Sequence, residues 1–143
     1  MTPEGKLKEQ VKRLLKSRGA WWYMPVQNGM GVVGIPDLIV CYKGIFLGME
    51  TKAPVKNPRA PAKLWAKATP NQKNRIREIW GAGGCAAVIE SMGAASAMLE
   101  SVDHNLVQRR DPDVMLVAHT LMGVSGLAIP PEIGGWGSRE AHG

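Results

Sequence analysis

Apolar and polar positions along this chain follow two periods. Leu7, Val11, Leu14 and Leu15 recur at i, i+4, i+7 and i+8, with lysines and arginines on the other side. This predicts an amphipathic helix over residues 3–18, ended by Gly19. Ala20 to Val26 is aromatic-rich and reads as a strand, with Pro25 favouring its edge or end. Two apolar runs follow, Leu38–Tyr42 and Ile45–Met49, joined by Lys43-Gly44 in the manner of a tight β-hairpin. Thr69-Pro70-Asn71-Gln72 then starts a helix: Thr69 is the N-cap, Pro70 sits at N1, and Gln72 at N3 completes a capping box. Gln72, Ile76, Ile79 and Trp80 share one face of that helix, which Gly81-Ala82-Gly83-Gly84 ends. Cys85–Glu90 reads as a short buried strand and Ala94–Val102 as a further helix. The predicted order is α-β-β-β-α-β-α. Beyond Asp103 the pattern weakens: Val114–Met122 fits a helix, Gly134–Gly143 a disordered tail, and no internal repeat occurs.

The hairpin register carries chemistry. If Lys43-Gly44 is the turn, Tyr42 pairs with Ile45, and antiparallel pairing sets Asp37 directly opposite Glu50. Opposed residues have Cβ atoms roughly 4.5–5.5 Å apart on one face. Lys52, two residues beyond Glu50, shares that face. At about 5 Å and an effective dielectric near 20, two carboxylates repel by on the order of 3 kcal/mol. Lys52 offsets part of this. A divalent cation does so better, since Mg²⁺ is typically held by one or two carboxylates plus water and substrate phosphate. On spacing alone, a surface hairpin with an ordinary Glu–Lys pair fits as well.

Composition narrows the setting. The chain has 143 residues, enough for one domain with a real core, and carries a formal charge of +6 with a pI near 9.6, which suits a polyanionic partner. No apolar run reaches membrane-spanning length, and Met1-Thr2-Pro3-Glu4-Gly5 is followed by no apolar signal-peptide core. Cys41 and Cys85 sit in strand-like runs and read as buried thiols of a reducing, cytoplasmic compartment. From Thr51 to Arg77 there is no acid, while Lys52, Lys56, Arg59, Lys63, Lys67, Lys73, Arg75 and Arg77 all fall there. Single-signed and starting at the proposed site, this run suits a phosphate-tracking surface. Trp65 within it fits either base stacking or, more ordinarily, a loop pinned to the core.

Other features carry less. Gly29-Met30-Gly31-Val32-Val33-Gly34 matches a dinucleotide fingerprint, but Ile35-Pro36 and a strand follow where a helix should open, so it reads as a loop leading substrate toward Asp37. Glu4 continues the core-facing stripe of the first helix. It suits the helix dipole and equally a metal or water ligand at the rim of the site. Gln72 is fully explained as a cap. His104, His119 and His142 have no partner at catalytic or ligand spacing.

Taken together, Gly34-Ile35-Pro36-Asp37-Leu38, Glu50-Thr51-Lys52, Thr69-Pro70-Asn71-Gln72 and Gly83-Gly84 before a strand resemble the virus-type replication-repair nuclease (VRR-NUC) domain, a branch of the PD-(D/E)XK nucleases, in its small stand-alone phage form. The resemblance covers about residues 1–100. It implies a restriction-endonuclease-like α/β core, α-β-β-β-α-β, with a small mixed sheet flanked by helices. It divides the chain into a nuclease domain over residues 1–102 and a C-terminal extension over 103–143, partly helical or disordered. It further implies hydrolysis of DNA phosphodiesters with Mg²⁺ or Mn²⁺, at branched DNA such as Holliday junctions, in a bacterial or phage-infected cell. By position, Asp37 and Glu50 match the metal ligands, the Thr51 carbonyl a third ligand, and Lys52 the residue that orients or deprotonates the attacking water. Gln72 matches the family's helix glutamine, and Glu4 the first-helix acid of related junction resolvases. Coordinated cutting of two strands by one-site domains implies a C₂ homodimer. The competing expectation is a non-catalytic nucleic-acid-binding module of replication or repair, which has no reason to oppose two acids.

Overall fold

Thr2 caps the first helix, α1 (Pro3–Ser17), by accepting a hydrogen bond from the Gly5 amide at 3.0 Å, and the helix buries Leu7, Val11 and Leu15 as its periodicity predicts. The computed structural model describes residues 1–26, 29, 31–54, 61–107 and 124–133. The expected helix at 114–122 and tail at 134–143 lie outside these, as do Lys56, Arg59, His119 and His142.

Four further elements build the first half of the domain. Strand β1 (Trp21–Tyr23) stops short of Pro25, and β2 (Leu38–Tyr42) and β3 (Ile45–Thr51) form the predicted hairpin in the predicted register, Tyr42 opposite Ile45 and Leu38 opposite Met49. The turn has positive φ at both residues, 51° at Lys43 and 83° at Gly44, the primed geometry that matches strand twist. A short helix α2 (Pro61–Trp65), not foreseen from the pattern, follows β3.

Helix α3 (Pro70–Gly81) carries the full capping box at Thr69 and Gln72. It crosses over to β4 (Cys85–Ile89), which pairs parallel to β3, and α4 (Met92–Val107) follows. The boundary drawn at residue 102 falls inside α4. From beyond it, β5 (Leu127–Ala128) joins β4 antiparallel. The sheet is therefore mixed, in order β1-β2-β3-β4-β5, with helices packed against it, the predicted α/β class with one strand more than expected.

Burial alternates along β2: Leu38, Val40 and Tyr42 are buried, Ile39 is half-buried and Cys41 is exposed. This corrects the expectation that both thiols are internal. A uniformly apolar run does not reveal which of its faces is left uncovered. Cys85 is buried, and desolvation pushes its thiol up to about 12. Asp103 on α4 ties the covered side together, accepting from Arg18 Nη2 and Tyr42 Oη at 2.9 Å each and pairing with Lys43. No described helix is long and apolar enough to cross a membrane.

Candidate active site

Gly34 and Pro36 place Asp37. Gly34 has φ +88°, and a Cβ there would lie 2.5 Å from the Asn71 carbonyl carbon and 2.7 Å from the Gln72 nitrogen. Only glycine lets the strand entry dock on the first turn of α3. Pro36 is buried, its Cγ 3.0 Å from where Gly48 would carry a Cβ, so the central strand also needs a glycine.

The two acids interlock across the strands. Asp37 Oδ2 accepts from the Thr51 amide at 3.0 Å and from Thr51 Oγ1 at 2.7 Å, while the Asp37 amide donates to Glu50 Oε2 at 3.2 Å. Gln72 links this pair to α3. Its Nε2 donates to Glu50 Oε1 at 2.7 Å, and its Oε1 accepts from the Thr69 amide at 2.9 Å and from Lys52 Nζ at 3.3 Å. The cap residue is thus also a site residue. Lys52 Nζ lies 3.6 Å from Glu50 Oε1, and Lys8 Nζ lies 3.6 Å from Asp37 Oδ1, so each carboxylate has its own ammonium neighbour.

The register explains the proline. In a two-residue hairpin, pairs that exchange backbone hydrogen bonds alternate from Tyr42–Ile45 outward, so the pair after Asp37–Glu50 should be one of them. That pair is Pro36 with Thr51. Pro36 has no N–H to give the Thr51 carbonyl, and the Thr51 amide turns instead to Asp37 Oδ2. The Thr51 carbonyl thus lacks the ladder donor that a residue other than proline would offer at position 36.

Glu50 is only 3 % exposed. Desolvation, aided by the Asp37 charge and opposed by Lys52, pushes its carboxyl up from 4.5 to about 7. Two carboxylates plus a carbonyl whose ladder partner is missing are hard oxygen donors of the kind Mg²⁺ or Mn²⁺ takes with water and phosphate. The donor set therefore fits a divalent metal, while among the described residues no three His, Cys, Asp or Glu side chains gather in a metal-holding group.

The structure thus brings together Asp37, Glu50, Thr51, Lys52 and Gln72. It does not bring Glu4 into their contact network. Glu4 is half-buried one helical turn before Lys8, on the same side of α1. Lys8 was missed by the sequence reading. The available signal was its place four residues after Glu4, on a helix whose apolar stripe begins at Leu7. The basic run is less free than its composition implies: Lys67 pairs with Glu90 at 3.1 Å, Arg75 with Glu78 at 3.0 Å, and Arg77 with Glu132. Trp65 is 5 % exposed with Lys73 and Arg77 over its ring, which makes it a core anchor and not a base platform.

No protein-family model matches the chain, and the curated proteins contain no match. A solved structure described as a VRR_NUC domain is similar to it, at 20% sequence identity over 78% of this chain and 100% of that chain, with a TM-score of 0.49.

Proposed function

We propose that this chain is a divalent-metal-dependent DNA endonuclease of the VRR-NUC type, with a restriction-endonuclease-like core, that hydrolyses phosphodiesters in branched DNA. The reading rests above all on the interlocked Asp37–Thr51 and Glu50–Gln72–Lys52 contacts. Burying Glu50 beside Asp37 is unfavourable for stability, and a metal-dependent site accounts for why the fold builds it. The net charge of +6 suits a DNA partner.

In this reading Asp37, Glu50 and the Thr51 carbonyl hold Mg²⁺ or Mn²⁺, which supplies an activated water and charge neutralisation at the phosphate. The other groups prepare the site. Gln72 aims one Glu50 oxygen and, through Oε1, holds the Lys52 ammonium beside it. Lys52 orients the attacking water and stabilises the negative charge that builds on the phosphate oxygens. Lys8 balances Asp37 from the α1 side and contacts the incoming backbone. Glu4, one turn away, stands at the rim as a candidate water ligand. No covalent intermediate is needed. Two copies related by C₂ symmetry present two such sites to the two strands of a junction, in the cytoplasm.

The test is a cleavage panel: single-stranded, duplex, flap and four-way-junction DNA, each with Mg²⁺, Mn²⁺ or EDTA. Metal-dependent cutting strongest on the flap or junction supports the proposal. A panel with no metal-dependent cutting of any DNA refutes it.

A further inference from the structure

One sheet face runs from the candidate site onto an uncovered apolar surface. Strand alternation puts Phe46, Gly48, Glu50 and Lys52 on one face. The pairing register sets Tyr23, Ile39 and Gly48 in one cross-strand row, and Trp21, Cys41 and Phe46 in the next. The row before these is Asp37–Glu50. A same-face step along a strand is about 7 Å, so Tyr23 lies roughly one step, and Trp21 roughly two steps, from the row of the acids. Helix α3 covers the β3–β4 half of this face, with Ile79 against Gly48. Toward β1 it is open: Trp21 is 62% exposed, Tyr23 50% and Phe46 45%. The Trp21 and Tyr23 rings stack, with centroids 6.5 Å apart and planes 20° from parallel. Trp22, between them, points the other way and packs against the core with Lys12 over its ring.

Charge selects the occupant. From Gln10 to Arg77 the chain carries 13 of its 18 Lys and Arg and two acids, Asp37 and Glu50; Lys12, Arg18, Lys43, Lys67, Arg75 and Arg77 pair with acids outside the stretch, and the balance stays cationic. A second copy would set this cationic stretch against itself. An unpaired nucleic-acid strand brings phosphates for the cations and a π-face for each ring, and base–aromatic stacking needs no particular sequence. We propose that Trp21 and Tyr23 are a stacking platform for unpaired bases, so that the DNA entering the site carries a single-stranded segment beside the phosphate to be cut. This rests on the nuclease reading and specifies its substrate class.

The experiment measures binding in EDTA, by fluorescence anisotropy, of a short single strand and of a blunt duplex to the full chain. Trp21→Ala or Tyr23→Ala should each weaken single-strand binding about 5- to 100-fold. Duplex binding, dominated by phosphate contacts, should change by less than about twofold. Trp21→Phe and Tyr23→Phe, which keep a ring, should retain most of the single-strand affinity. Where an alanine protein unfolds early, Trp21→Gln and Tyr23→Gln repeat the measurement. Unchanged single-strand binding, or equal losses on both DNAs, overturns the proposal. So does a fall from dimer to monomer mass in light scattering with single-strand binding intact, which would make the face a contact between copies. The readout needs neither metal nor turnover. A wild-type protein that cuts nothing sinks the nuclease reading, while failure of the platform shows only here.

Discussion

Glu50→Gln should stabilise the metal-free protein above pH 7. The Glu50 carboxyl is 3 % exposed and raised from 4.5 to about 7, chiefly by desolvation. At about 1.4 kcal/mol per pKa unit, holding it ionised costs about 3 kcal/mol. A raised carboxyl pKa means that the folded state binds the proton more tightly than the unfolded one. The penalty is therefore absent below pH 4.5, grows between 4.5 and 7, and is fully present above 7. Glutamine removes the charge but keeps only one acceptor for the two donors that Glu50 now satisfies, Gln72 Nε2 and the Asp37 amide. Losing one such bond costs about 1 kcal/mol. The net expectation is a gain of about 2 kcal/mol at pH 8, roughly 7 °C in Tm for a domain of this size, and a loss of about 1 kcal/mol at pH 4.5. Urea denaturation in EDTA from pH 4.5 to 8.5 measures this. Parallel stability curves for the wild type and the variant would refute the account of Glu50 as a buried charge whose neighbours only partly offset its desolvation.

Gly34→Ala forces a Cβ to within 2.5 Å of the Asn71 backbone at φ +88°, so it should cost more than about 2 kcal/mol in urea denaturation. Gln72→Ala removes both the cap and the support of Glu50 and Lys52. It should lower kcat about 10- to 100-fold and stability by about 1 kcal/mol, whereas Thr69→Ala should show the stability loss with a smaller kinetic one. Lys8→Ala removes the cation 3.6 Å from Asp37 and should tighten Mn²⁺ binding in calorimetry, by up to about fivefold given its partial exposure. Unchanged or weaker Mn²⁺ binding would show that Lys8 does not compete for Asp37.

The parts of this site that are local in sequence were legible in it. Hairpin register follows from a two-residue turn, so the opposition of Asp37 and Glu50 is encoded in the local sequence. The capping box at Thr69 and Gln72 is likewise encoded within four residues. What was not legible depends on contacts between distant segments. The Lys8–Asp37 pair needs the angle at which α1 meets the sheet end. The second use of Gln72 needs α3 docked against β3, which the Gly34 approach makes possible. Cys41 was misplaced because an all-apolar strand conceals which face is covered. β5, with only Leu127 and Ala128 in the ladder, is too short to show a period. α4 runs to Val107, past the point where its apolar pattern fades at Val102.

The most direct test of the central claim is phosphodiester cleavage by the wild type, Lys52→Ala and Asp37→Ala on one branched DNA, with Mg²⁺, Mn²⁺ or EDTA and with DNA binding measured in parallel. The wild type should cut with metal and not in EDTA, and both variants should lose at least about 100-fold with binding largely retained. Cleavage that persists in EDTA, or full activity in both variants, would contradict that claim.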